Sequence, residues 1–145
     1  MLENERPTNT GDLEKTLQGT LDLSEFLKES EGSFTNAAIG ALLEEIIAEK
    51  KLSKAQVAKN ANTSRVYLFQ ILNGSRTPSR DRVLSLCVSL GLGVDETRSL
   101  LRRACYGDLY VKSRRDSIIA YGLKEHWDLN KINDALFDEG EETLV

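Results

Sequence analysis

Cysteine, proline and histidine are scarce in this chain of 145 residues, which holds 2 Cys, 2 Pro and 1 His. Cys87 and Cys105 stand at no zinc-ligand spacing and follow no cationic apolar leader. They are expected to be free thiols in a reducing cytoplasm, with Cys87, inside an apolar run, a small core residue. The prolines, Pro7 and Pro78, leave long stretches open to helix, and no segment holds the period-2 alternation of β-branched and aromatic residues that marks strands. No apolar run approaches the roughly 20 residues of a membrane span. A nucleophile and base at a recognisable spacing, a glycine loop to cradle phosphate and a metal-ligating cluster are all missing. An enzyme, a cofactor, a metal and a small-molecule substrate are therefore not expected. The expectation is an all-α protein that works by binding, away from membranes.

Hydrophobic residues make up 40% of the chain, enough at this length to bury a core without disulfide or metal. The net charge of −4 hides a segregation along the sequence. Residues 1–35 carry 8 acidic and 3 basic side chains, and residues 116–145 carry 8 and 2. Residues 51–115 carry only 4 acidic against 13 basic. A basic block between acidic flanks points to a polyanion as partner.

Three parts are expected: an acidic, loosely ordered N-terminal tail over 1–35, a helical body over 36–105, and a C-terminal helical hairpin over 106–145. Within the tail, 22–30 can form a short helix on Leu23, Phe26 and Leu27. Ile39, Leu42, Leu43, Ile46 and Ile47 make one stripe of a helix over about 36–50. Ser53, Ser64 and Ser79 are each placed to cap a following helix, over about 54–61, 64–73 and 80–90. Gly74 and Pro78 separate the last two, and Gly91 and Gly93 precede a fifth helix over about 95–105. Helices over 115–125 and 129–139 complete the hairpin. A shift of 35 positions aligns Arg80-Asp81 with Arg115-Asp116, Val83-Leu84 with Ile118-Ile119, Val94 with Leu129 and Leu101 with Leu136. That register suggests a duplicated helical hairpin, although two unrelated amphipathic pairs with glycine breaks would align similarly and Gly91 falls opposite His126.

The most informative stretch is LSKAQVAKNANTSRVYLFQILNG, residues 52–74: two short helices joined by a tight turn, which is a helix-turn-helix. Several features in combination carry a family resemblance. They are the first helix running into Glu49-Lys50-Lys51-Leu52-Ser53, then Val57-Ala58, Ser64-Arg65, and Asn73-Gly74 followed by Arg76-Thr77-Pro78-Ser79. On these residues the region 36–105 resembles the lambda-repressor-like, or XRE-type, DNA-binding domains. Two departures are Asn62, where many relatives hold a small residue, and the lack of an early arginine in helix one. The resemblance implies a five-helix body and a double-stranded DNA partner whose major groove takes the helix over 64–73.

With Leu68, Ile71 and Leu72 turned to the core, that helix offers Arg65, Val66, Tyr67, Gln70 and Asn73 to bases. Arg65 has the fork to meet guanine O6 and N7; its alternatives are a phosphate clamp or a solvated surface arginine. Asn73 is as well placed to finish the helix as to read a base. Lys54, Ser64, Arg76, Ser79 and Arg80 are expected at phosphates, with helix capping the competing role for the two serines. Arg102, Arg103, Arg114 and Arg115 form a second basic cluster, suited equally to DNA, to salt bridges with the acidic C-terminus or to a solvated helix surface. The function expected is a sequence-specific, repressor-like transcriptional regulator acting as a homodimer. The alternative is a protein-interaction adaptor or antitoxin-like module on the same fold, suggested by the apolar Tyr67-Leu68-Phe69.

Overall fold

The computed structural model describes residues 35–144 and, before them, Leu23. Apart from Leu23 and Thr35, the expected tail and its short helix lie outside the described residues. Seven helices and no strand occur among the described residues: α1 Thr35–Lys50, α2 Lys54–Asn60, α3 Arg65–Leu72, α4 Arg80–Ser89, α5 Val94–Arg103, α6 Arg114–Lys124 and α7 Leu129–Asp138. Their starts follow from local chemistry. The side chains of Ser53, Ser64, Ser79, Ser113 and Asp128 each accept a backbone N–H in the first turn of the helix that follows, satisfying a donor the helix itself cannot. At α5 the Glu96 carboxylate accepts the Gly93 N–H at 3.1 Å.

α1 packs on α3 and α5, and α2 on α3 and α4. Ile39, Leu43 and Ile47 from α1 meet Val57, Ala58, Leu68 and Ile71 in a core that continues without a break through Ile119, Ile132 and Leu136 to Leu144. The body and its C-terminal extension therefore share one hydrophobic interior. At Gly40 a Cβ would lie 2.5 Å from the Ile71 carbonyl oxygen and 2.8 Å from that of Leu72. Only a residue without a side chain lets α1 come this close to the end of α3. Between α2 and α3 the chain reverses through Asn62, at φ 55°, while the Thr63 N–H closes back on the Ala58 carbonyl at 2.9 Å. Asparagine tolerates this left-handed conformation, so the departure from a small residue at the turn is accommodated.

The shift of 35 residues is a repeat of backbone geometry. Left-handed residues end α4 at Gly91 and α6 at His126, and end α5 at Cys105 and α7 at Gly140. The closing hydrogen bonds recur in the same register, Leu92 N–H to the Cys87 carbonyl matching Trp127 to Gly122, and Tyr106 to Leu101 matching Glu141 to Leu136. Contacts between the hairpins are reciprocal as well, with α4 against α7 and α5 against α6. At the helix starts, Arg80 pairs with Asp116 at 2.9 Å and Arg115 with Asp81 at 3.0 Å. The two halves thus meet as two copies meet about a two-fold axis, residue i on j and j on i. His126 falling opposite Gly91 is no break in this pattern, since histidine is among the side chains that visit the left-handed region.

Candidate nucleic-acid interface

α3 buries Leu68 and Ile71 and presents Arg65, Val66, Phe69 and Asn73 to solvent, with Tyr67 and Gln70 half-buried. Val66 is 66% and Phe69 50% exposed. The Arg65 side chain, in the first turn of α3, makes no hydrogen bond or ion pair among the described residues and is open to an external acceptor.

Around this helix the cations are placed by aromatic rings. The guanidinium carbons of Arg76 and Arg82 lie 5.1 and 5.0 Å from the centre of the Tyr67 ring, within cation–π range. Arg76 Nε also donates to Gln70 Oε1 at 2.8 Å, and Arg82 Nη1 to the Asn62 carbonyl at 3.3 Å. Lys54 sits 5.6 Å from the Phe69 ring and pairs with Glu44 at 3.0 Å. The start of α2, the outer face of α3, the loop after it and the start of α4 therefore converge on one surface holding Lys54, Arg65, Arg76 and Arg82. Behind it, Tyr106 donates its hydroxyl to the Pro78 carbonyl at 2.5 Å. Burial, and then the neighbouring Tyr67, push that phenol up, so it stays a neutral donor bracing the loop.

The other expected contacts are placed as follows. Ser64 Oγ accepts from the Tyr67 N–H at 3.0 Å and Ser79 Oγ from the Arg82 N–H at 3.1 Å, so both hydroxyls cap helices. Asn73 Oδ1 accepts from the Ser75 N–H at 2.9 Å, holding the loop that follows α3. Arg80 is diverted from its expected phosphate. Its Nε donates to the Gly107 carbonyl, Nη1 to Asp116, and Nη2 to both Asp116 and the Asp108 carbonyl, which engages four of its five N–H groups. The sequence could not show this, because Asp116 lies far along the chain.

In the second basic cluster only Arg114 pairs with the acidic C-terminus among the described residues; Arg102 and Arg115 pair with carboxylates elsewhere, and Arg103 is exposed. Arg102 pairs with Asp108 at 3.0 Å, Arg114 with Glu139, and Arg115 with Asp81. The Asp81 carboxylate holds the Arg115 guanidinium even further above its ordinary range. Arg82 was absent from the sequence expectation; nothing local marks it, since its role depends on Tyr67 arriving beside α4. Cys87 and Cys105 are free thiols, Cys87 fully buried with its thiol pushed up to about 12 by burial. Such a thiol is inert. No group of residues able to hold a metal ion occurs among the described residues, and no helix there is long and apolar enough to cross a membrane.

Residues 38–100 match the family model of a helix-turn-helix domain. No curated protein and no solved structure matches the chain.

Proposed function

We propose that the chain is a transcriptional regulator of the lambda-repressor-like, XRE-type kind, which binds double-stranded DNA in a sequence-specific, repressor-like manner. α3 lies in the major groove. The observation that carries this reading is the surface described above: a helix-turn-helix whose outer helix presents an unengaged arginine, Arg65, with Lys54, Arg76 and Arg82 grouped round it on Phe69 and Tyr67. Arg65, Val66, Tyr67 and Gln70 face bases, and Asn73 borders them at the end of the helix. A bidentate arginine on guanine is worth about 1–3 kcal/mol of discrimination against another base. Lys54, Arg76 and Arg82 face phosphates, joined at their edges by the Ser64 and Ser79 hydroxyls. Arg80 belongs to the fold. The working form is a cytoplasmic homodimer on a two-fold site, without enzyme activity or cofactor.

The exposed Val66 and Phe69 favour one competing reading, a protein-binding module on the same fold. Fluorescence anisotropy on labelled duplex from upstream of the protein's own reading frame, against unrelated duplex, separates the two. DNA reading requires preferential binding, weakened by Arg65→Ala and falling steeply between about 50 and 200 mM salt. Failure to bind either duplex at about 50 mM salt contradicts it.

A further inference from the structure

The repeat allows one hairpin to be compared with the other. On the first, Val83, Leu86, Leu92 and Leu100 are almost wholly buried, in the hairpin against which α1 and α2 pack. Their counterparts 35 residues on are Ile118, Tyr121, Trp127 and Ala135. These line an open groove of about 550 Å³ together with Arg114 and Asp138, and its walls come from residues 114–139 alone. Tyr121 is 52% exposed, and its ring meets Trp127 edge-on at 5.3 Å. The groove is thus the face that, on the first hairpin, takes packed helices.

Charge selects the occupant. Lys131 Nζ lies 4.8 Å from the Trp127 ring centre, which puts it on the groove side of α7. Asp138, two turns further along the same side, lines the groove, with the small Ala135 between them. A second α7 crossing antiparallel at Ala135 brings Lys131 opposite the partner's Asp138, and the two-fold axis repeats the pair in the other direction. Small residues at a crossing point let helices approach closely. A surface complementary to itself in this way fits a second copy of the chain.

We infer that the α6–α7 groove is a self-association face, through which two copies pair about a two-fold axis near Ala135 and bury Ile118, Tyr121 and Trp127. The inference rests on the proposed regulator only in supplying that reading's dimer with its surface. The contact itself involves no DNA.

Sedimentation equilibrium of the full chain without DNA tests it, alongside Ala135→Arg, Lys131→Asp, Asp138→Lys and the charge-swapped double variant, each checked for folding by circular dichroism. The wild type is expected to dimerise. Each single reversal sets like charges opposite each other twice and should raise the dimer dissociation constant about tenfold or more. The double swap restores the pairs and should return it to within about threefold of wild type, while Ala135→Arg leaves a folded monomer. A wild type that stays monomeric at every concentration overturns the inference and leaves the groove to the chain's first 34 residues or to another protein. A dimer indifferent to Ala135→Arg overturns it too, and a double swap no better than its parents overturns the antiparallel arrangement. Parallel DNA anisotropy keeps the two proposals apart. A monomer that binds DNA contradicts only the pairing, whereas a groove-dependent dimer that ignores DNA contradicts only the regulator.

Discussion

At the scale of single residues, the decisive distinction is between cations held for an outside partner and cations held by the protein. Arg76 and Arg82 stack on Tyr67 and keep N–H groups free, whereas Arg80 donates four times to protein oxygens. Arg76→Ala and Arg82→Ala should each reduce the slope of log affinity against log salt by about 1, as loss of a phosphate contact does. Arg80→Ala should leave that slope unchanged and lower stability by about 2–3 kcal/mol in urea unfolding, because it takes the paired cation from the mostly buried Asp116 carboxylate and leaves it the Tyr110 N–H. A flattened slope in Arg80→Ala would return that residue to the interface. Tyr67→Phe keeps the stacked ring and should bind DNA nearly as wild type, while Tyr67→Ala frees both guanidiniums and should weaken binding about tenfold with the fold intact. Arg65, Lys54 and Arg76 were legible in the sequence because the helix-turn-helix pattern fixes their places locally. Arg82 and the reassignment of Arg80 were not, since each depends on a partner from another element.

The elements themselves were legible almost throughout. Helix starts are written locally in serine and aspartate caps, and apolar spacing shows which face turns inward, so the expected boundaries agree with the observed ones to within about two residues. How closely the helices approach is not written that way. Gly40 reads in sequence as one glycine inside an apolar helix, yet it is the point where α1 touches the carbonyl end of α3. Gly40→Ala should cost about 1–3 kcal/mol, the usual penalty for overpacking, because the obstructing atoms are backbone and cannot rotate away. Urea unfolding checks this; an unchanged midpoint would show that the α1–α3 contact gives way freely. The hairpin repeat was faint for a related reason. Its strongest signature is the left-handed residue ending each helix, and glycine, histidine and cysteine fill that role at different ends.

In the molecule as a whole, the reciprocal pairs of Arg80 with Asp116 and Arg115 with Asp81 fasten the second hairpin to the first and engage with carboxylates two arginines that composition alone would assign to DNA. The basic block of residues 51–115 is therefore only partly available to a polyanion. Acid should loosen the same framework. Burial alone would raise the Asp108 carboxyl, but hydrogen bonds from Arg98, the Leu109 N–H and Arg102 outweigh it and hold that group below its ordinary range. A depressed carboxylate stabilises the fold fully above the ordinary carboxylate range, and that contribution disappears as pH falls through the lowered folded value. Thermal unfolding followed between about pH 7 and pH 3 should show this loss, with a shallower acid limb in Asp108→Asn; identical limbs would contradict the assignment. The proposed DNA reader is α3, with the unengaged Arg65 and, beside it, Lys54, Arg76 and Arg82 held on aromatic rings. Its most direct test is the salt dependence of binding to the protein's own upstream duplex. With Lys54, Arg76 and Arg82 at phosphates and Arg80 not, binding should prefer that duplex and show a slope of about −3 per bound chain, and Arg65→Ala should weaken binding and remove the preference while leaving the slope nearly unchanged. Absence of binding at about 50 mM salt, or binding indifferent to both salt and Arg65, would contradict this reading.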